Sequence, residues 1–338
     1  MQWGHQAVPS QRRTSSKRFV IPGFMAVIAI LVASGALSAC GSEGTSASAT
    51  GSKQQPVQVS NTQLSGAGAF MGPVKRVKVG DIKIGYRQFG QGPPLVMVMG
   101  DTAAMSDWGT KLPKRLSQDF RVTMFDNRGV SYSTDNTSEP MTIELMAKDT
   151  AGLESALGIH KPIVLGWSMG GEIGIAMTVL YPNSVGTLIS SGGDAGSSQM
   201  VVPVDYNQVN AELADPNFSP FAKLAFIFPP GASQAEQAFI SDYLSVPTET
   251  VSTRTLQRQK VAEDAYVTDS TIFARLGQIH AKVLITNGSD DRLVPVQNAT
   301  ILGRHIPYSR VVIFQGAGHA MMYQDMDQFV NLVVHFAR

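Results

Sequence analysis

Ser168 lies in Gly166-Trp167-Ser168-Met169-Gly170, between the apolar run Pro162–Leu165 and a helix-compatible stretch from Glu172 to Tyr181. A serine hydroxyl is a poor nucleophile until a base takes its proton, and that base must itself be oriented by a carboxylate. The chemistry on offer is therefore nucleophilic attack on a carbonyl carbon, provided the chain supplies both partners. Five histidines lie beyond residue 40. His160 precedes the serine's own apolar run, His280 precedes another, His305 ends a helical pattern and His335 lies inside the last one. Only His319 follows the end of an apolar run, at Phe314, in the loop Gln315-Gly316-Ala317-Gly318-His319-Ala320, so His319 is the candidate base. For the acid, Asp290 and Asp291 both leave the run ending at Thr286, in Asn287–Pro295, and charge alone does not separate them. Asp194, in the Gly-rich loop after Val185–Ser190, is a third candidate.

These side chains can meet only if one scaffold brings several loops to a common edge. Strand, sharp turn and helix around Ser168 would lift its hydroxyl above the carboxyl end of a sheet, with Gly166 and Gly170 small enough for strand and helix to close up. Six runs are predominantly apolar, with no alternating polar face: Pro94–Met99, Arg121–Phe125, Pro162–Leu165, Val185–Ile189, Lys282–Thr286 and Val311–Phe314. Continuous apolar runs fit strands covered on both faces, as in a parallel sheet. Helical patterns at Trp108–Leu116, Ile143–Leu157, Ile173–Leu180, Ala299–His305 and Gln324–Phe336 alternate with them. Val74–Val79 and Ile82–Tyr86, around Gly80-Asp81, read as a β-hairpin at the start. The expected fold class is α/β, a doubly wound, mostly parallel sheet spanning residues 73–338. About residues 197–272 break the alternation, look mostly helical, and read as a lid over the carboxyl edge. Phe218, Phe221, Phe226, Phe228, Phe239 and Tyr243 give it a large apolar content. With Trp108 and Trp167 near the motif loops, they predict a largely apolar pocket with few charged anchors.

The N-terminal part has another character. Residues 1–39 carry Arg12, Arg13, Lys17 and Arg18 and no acidic residue; the apolar segment Phe24–Leu37 then runs into Leu37-Ser38-Ala39-Cys40. Fourteen apolar residues are short for a membrane span, which takes about 20. A charged region, an apolar region and small residues at the end describe an export signal. Leu-Ser-Ala-Cys resembles the lipobox of bacterial lipoproteins, which implies acylation of Cys40 by fatty acids of the palmitate type and anchoring on the outer face of the cell membrane. Cys40 is the single cysteine, so no internal disulfide can form. Residues 40–72, rich in Gly, Ser, Ala and Thr, read as a flexible tether, with Phe70-Met71 able to dock on the domain edge. Taking the four N-terminal basic residues from 27 leaves 23 against 26 acidic ones, a net −3 that gives no reason to expect nucleic acid as a partner.

Residues 74–338 resemble the α/β-hydrolase family, with Ser168, an aspartate and His319 in that family's chain order. The family's acid stands three residues after the glycine of Gly-x-x-Asp, which selects Asp291. Asp126-Asn127-Arg128-Gly129-Val130-Ser131-Tyr132-Ser133 resembles the family's Asp-x-Arg-Gly-x-Gly-x-Ser loop, with Ser131 replacing a glycine. Two backbone N–H groups should form the oxyanion hole. Met169 supplies one; the other is assigned to Asp101, because Met99-Gly100-Asp101-Thr102 stands where relatives carry His-Gly-x. The resemblance, with serine at the turn and no metal cluster or nicotinamide fingerprint in the sequence, implies a cofactor-free serine hydrolase without a metal, acting on carboxylic esters through an acyl-enzyme. The substantial lid adds the expectation that esters of short to medium acyl length are preferred. Perhydrolase activity, C–C bond hydrolysis, or a catalytically silent lidded binding protein are the alternatives.

Overall fold

The six continuous apolar runs all become strands of one eight-stranded sheet, and the N-terminal hairpin adds two more at its edge. The computed structural model describes residues 66–205, 208–209, 224–247 and 249–338. The strands are β1 (Lys75–Val79), β2 (Ile82–Phe89), β3 (Pro94–Val98), β4 (Arg121–Phe125), β5 (Ile163–Trp167), β6 (Thr187–Ser191), β7 (Lys282–Gly288) and β8 (Ser309–Phe314). Their order is β1-β2-β4-β3-β5-β6-β7-β8. The first two pairings are antiparallel and every later one is parallel, so the expected doubly wound, mostly parallel sheet is what forms.

Alternation along single strands builds the two covering layers. In β3, Leu95 and Met97 enter one core while Val96 and Val98 enter the other. The first core takes helices α1 (Lys111–Leu116) and α8 (Met326–Ala337); the second takes α2 (Ile143–Ala156), α3 (Met169–Leu180) and α6 (Gln297–His305). Two of the predicted helical patterns are broken near their starts. Trp108 closes a separate 3-10 turn, Met105–Trp108, because Gly109 turns left-handed at φ 64° and breaks the run before α1. The segment predicted from Gln324 begins as the short α7 (Met321–Gln324) and restarts at α8, whose cap is the Asp325 side chain accepting from Gln328 N–H.

The excursion after β6 holds α4 (Ser233–Tyr243) and α5 (Thr253–Tyr266), and the two belong to different layers. Phe239 and Tyr243 of α4 join the first core, while Ala262 and Tyr266 of α5 join the second. Among the described residues, its aromatics do not line a substrate pocket as expected. Phe226, Phe228, Phe239 and Tyr243 are buried, with Phe239 edge-on to Tyr323 at 4.8 Å. Trp108 and Trp167 are buried too, 5.8 Å apart. Large rings gain most by complete removal from water, and the space between lid and sheet allows it. Phe218 and Phe221 lie outside the described residues.

At the other end, Gly66–Met71 forms a 3-10 segment, with Met71 in the first core and Phe70 5.2 Å edge-on from Phe89. The packed domain thus takes in the last residues of the predicted tether. The predicted signal, residues 1–39, and the lipidation site Cys40 lie outside the described residues. Among the described residues, no helix is long and apolar enough to cross a membrane.

Candidate active site

The turn after β5 is as sharp as the sequence demands. Ser168 adopts φ 58° and ψ −127°, a conformation that side-chain-bearing residues rarely hold, and caps α3. Its N–H donates to Ser191 O at 2.9 Å, and Gly171 N–H donates to its carbonyl at 2.7 Å. A Cβ on Gly166 would lie 2.0 Å from Gly170 O, and one on Gly170 2.1 Å from Val98 O, so neither position admits another residue. Met169 is the first residue of α3, where the N–H has no acceptor within the helix.

His319 is fully buried, and Nδ1 lies 2.8 Å from Asp291 Oδ2. The other Asp291 oxygen accepts from Leu293 N–H and Val294 N–H, each at 2.9 Å. An ionised carboxylate only accepts, so the pair fixes the His319 tautomer with the proton on Nδ1. Nε2 is buried with no protein hydrogen-bond partner. Trp167, beside the serine, donates from Nε1 to His319 O at 3.0 Å and lays its ring 5.8 Å from the imidazole, tying the two loops together. The alternatives for the acid sit elsewhere. Asp290 is exposed and accepts from Ser289 Oγ, and Asp194 accepts from Gly196 N–H as a turn former. His160, His280, His305 and His335 are not brought to this edge; His305 and His335 bond back to carbonyls of their own helices.

The loop after β3 completes the approach to Ser168. A Cβ on Gly100 would come within 3.0 Å of Ser168 Cβ and 3.1 Å of Trp167 O, so the next residue, Asp101, begins directly beside the nucleophile. The loop that resembles the family's Asp-x-Arg-Gly motif holds this approach from one side. Asp126 accepts from Met105 N–H and Tyr132 N–H, Asn127 donates to Met99 O, and Arg128 grips Asp149 with two bonds of 2.7 and 2.8 Å. Burial pushes the Asp126 carboxyl up to about 7.

A cavity of about 330 Å³ opens at Ser168, and its walls correct the expectation of few charged anchors: Glu172, Asp194, Glu263, Asp264 and Lys260 line it alongside Met200, Val201 and Leu293. Lys260 is hydrogen-bonded to Asp264. Burial, reinforced by Asp194 and Asp101, pushes Glu172 well above the carboxylate range, and burial with Asp101 and Glu172 does the same to Glu263. Burial raises Asp194 as well, against the Gly196 N–H. Asp101, 1% exposed, faces the Glu263 carboxyl and is pushed up to about 6 by burial. Sequence reasoning gave no role to Glu172, Gln259 or Glu263. Glu172 was legible, because a residue four after the serine falls on the same helix face. The other two were not, since nothing local says what a lid helix touches. Among the described residues, no group of three or more His, Cys, Asp or Glu side chains is disposed to hold a metal ion.

Comparison with known proteins places this site in a wider context. The model of the alpha/beta hydrolase fold family matches residues 93–325. A 2-hydroxy-6-oxo-6-phenylhexa-2,4-dienoate hydrolase of Comamonas testosteroni is 26% identical over 274 residues, covering 76% of this chain and 92% of the relative. A 2-hydroxy-6-oxononadienedioate/2-hydroxy-6-oxononatrienedioate hydrolase of Pseudomonas putida is 27% identical over 274 residues, with the same coverage. Among solved structures, an alpha/beta hydrolase fold protein from Chitinophaga pinensis superposes with a TM-score of 0.69 at 22% identity, over 78% of this chain and 96% of that one.

Proposed function

The chain belongs to the alpha/beta hydrolase fold family, and from that premise we propose that it is a serine hydrolase that cleaves small carboxylic esters through an acyl-enzyme on Ser168. The observation that carries the reading is the buried His319–Asp291 pair on the same edge as the strained Ser168 turn. His319 Nε2 takes the Ser168 proton as Oγ bonds to the carbonyl carbon, and Asp291 stabilises the imidazolium that forms. The oxyanion is met by Met169 N–H and Asp101 N–H. On collapse the carbon–oxygen bond to the alcohol breaks, and His319 returns the proton to that oxygen. Water then attacks the acyl-enzyme with His319 again as base, releasing the acid and free Ser168.

The cavity's size supports short to medium acyl groups, since 330 Å³ is near the lower end of ligand pockets. Its lining supports a neutral substrate: the one basic residue among the described lining residues, Lys260, already holds Asp264, and burial raises the other three carboxyls, Glu172, Asp194 and Glu263. A second reading, hydrolysis of a C–C bond, is favoured by the relatives. The substrates in their names carry a ketone and a carboxylate but no ester, so water must split a bond between carbons. The same Ser168 attack on a ketone would serve it. Labelling with a fluorophosphonate, followed by rates on p-nitrophenyl esters of graded acyl length and on a 2-hydroxy-6-oxo-dienoate, tests both. Loss of the label in Ser168→Ala with turnover of esters supports the first reading. Turnover of the dienoate alone establishes the second, and full labelling of Ser168→Ala removes both.

Acylation of Cys40, and with it a place on the outer face of the cell membrane, is part of the same proposal. Mass spectrometry of the mature N-terminus tests it, and an unmodified Cys40 sinks it.

A further inference from the structure

The loop that carries Asp101 is held from two sides, and the second hold comes from the lid. Thr102 is left-handed at φ 59°, without the freedom of a glycine, so something outside the loop must maintain it. Its N–H donates to Gln259 Oε1 at 2.8 Å, and Gln259, on α5, is fully buried. One helical turn further along the same face of α5, the Glu263 carboxyl lies beside that of Asp101, whose two oxygens are buried with no hydrogen-bond donor. Two consecutive residues of the loop beside Ser168 are thus gripped by two residues of one helix. The two carboxyls form a hydrogen bond only while a proton lies between them. Around the pair stand Glu172 of α3, Asp194 of the loop after β6, and Lys260 and Asp264 of α5, besides the Thr102 hydroxyl. With more acids than bases in reach, the neighbourhood favours keeping that proton.

We propose that Gln259 and Glu263 are positioning residues, through which the seating of α5 sets the oxyanion donor of Asp101, by the Thr102 N–H bond and by a proton shared between Glu263 and Asp101. The proposal rests on the serine-hydrolase reading. It makes the turnover rate depend on the seating of a lid helix, beyond any contact its cavity-lining residues make with substrate, and it gives that dependence a pH sense: the grip loosens as the shared proton is lost.

The experiment uses p-nitrophenyl butyrate hydrolysis and fluorophosphonate labelling of the parent, Gln259→Met and Glu263→Gln proteins between pH 6 and 9, with thermal unfolding run alongside. Methionine keeps the volume of Gln259 but removes the acceptor. We expect kcat to fall about 100-fold, the scale of losing one oxyanion donor, with KM unchanged and labelling slowed in parallel. A glutamine in place of Glu263 donates to Asp101 without a shared proton, so Glu263→Gln should flatten the pH dependence, its ratio of kcat at pH 9 to kcat at pH 6 exceeding the parent's several-fold. Unchanged kcat in Gln259→Met overturns the proposal. So does a Glu263→Gln profile that parallels the parent's at every pH. If Gln259→Met unfolds, the Glu263→Gln profile decides alone. A parent that neither labels nor hydrolyses the ester removes the serine-hydrolase reading and this proposal together; a parent that does both isolates the failure to the lid contact.

Discussion

Two buried aspartates flank Ser168, and they are treated in opposite ways. Asp291 has each oxygen occupied by named donors: His319 on one, Leu293 and Val294 N–H on the other. Asp101 is 1% exposed and looks at another acid, with burial raising its carboxyl to about 6. The difference follows from what each side chain is for. In the proposed reaction Asp291 works through its charge, and the loop supplies donors that hold its carboxylate in one direction. In the proposed reaction Asp101 contributes its main chain, and its carboxyl is one half of the proposed clasp to the lid. Equal burial of one residue type thus does not imply equal chemistry; the partners decide.

The largest expected effect removes the point where both flanks converge. Ser168→Ala should lower ester turnover by about 10⁶-fold, measured as kcat on p-nitrophenyl butyrate. Next comes Asp291→Asn, which leaves the packing but offers His319 the wrong hydrogen-bond partner; kcat should drop about 10⁴-fold. The exposed Asp290→Asn is the matched control and should turn over like the parent. A crippling Asp194→Asn with a mild Asp291→Asn would move the acid one strand earlier and end the comparison as drawn. Gly100→Ala probes the other flank without touching a charge. Its Cβ would press on Ser168 Cβ at 3.0 Å and displace the Asp101 N–H, for a loss of about 100-fold in kcat with the Asp291 side intact.

Stability against pH separates the two aspartates a second way. The folded value of Asp101, about 6, lies above its ordinary 3.8, so the folded protein keeps a proton that the unfolded chain has released in that window. Stability from this group is therefore full below pH 3.8 and is lost as pH rises towards 6. Urea midpoints at pH 4 and pH 8 should draw together in Asp101→Asn, and a midpoint difference as large as the parent's would contradict the clasp's cost. The smallest effect is a control outside both flanks. Phe70→Ala loses the edge-on contact with Phe89, about 1 kcal/mol on unfolding, while ester turnover stays at the parent level.

Much of this architecture was legible from the chain alone, because it is written in short-range signals. Continuous apolar runs gave the six central strands, since a strand covered on both faces has no polar side to show. Gly166 and Gly170 marked the turn at Ser168, because only a missing side chain allows a 2.0 Å approach of virtual Cβ to backbone. Position after a strand end brought His319 to the correct edge, as its bond to Asp291 shows, although the choice of Asp291 over Asp290 needed the family pattern. Tertiary structure decided the rest. The lid aromatics looked like pocket walls, yet burial in the core was the better use of their area. The acids that do line the cavity come from α3, the loop after β6 and α5, and no periodicity in the sequence announces their meeting. Thr102 and Gln259 are 157 residues apart, and the bond between them exists only because the excursion folds back over the sheet edge. Local patterning specifies elements because each is stabilised by its own faces; which side chains then share a buried space, and whose charge survives there, is settled by the packing of elements that are strangers in sequence.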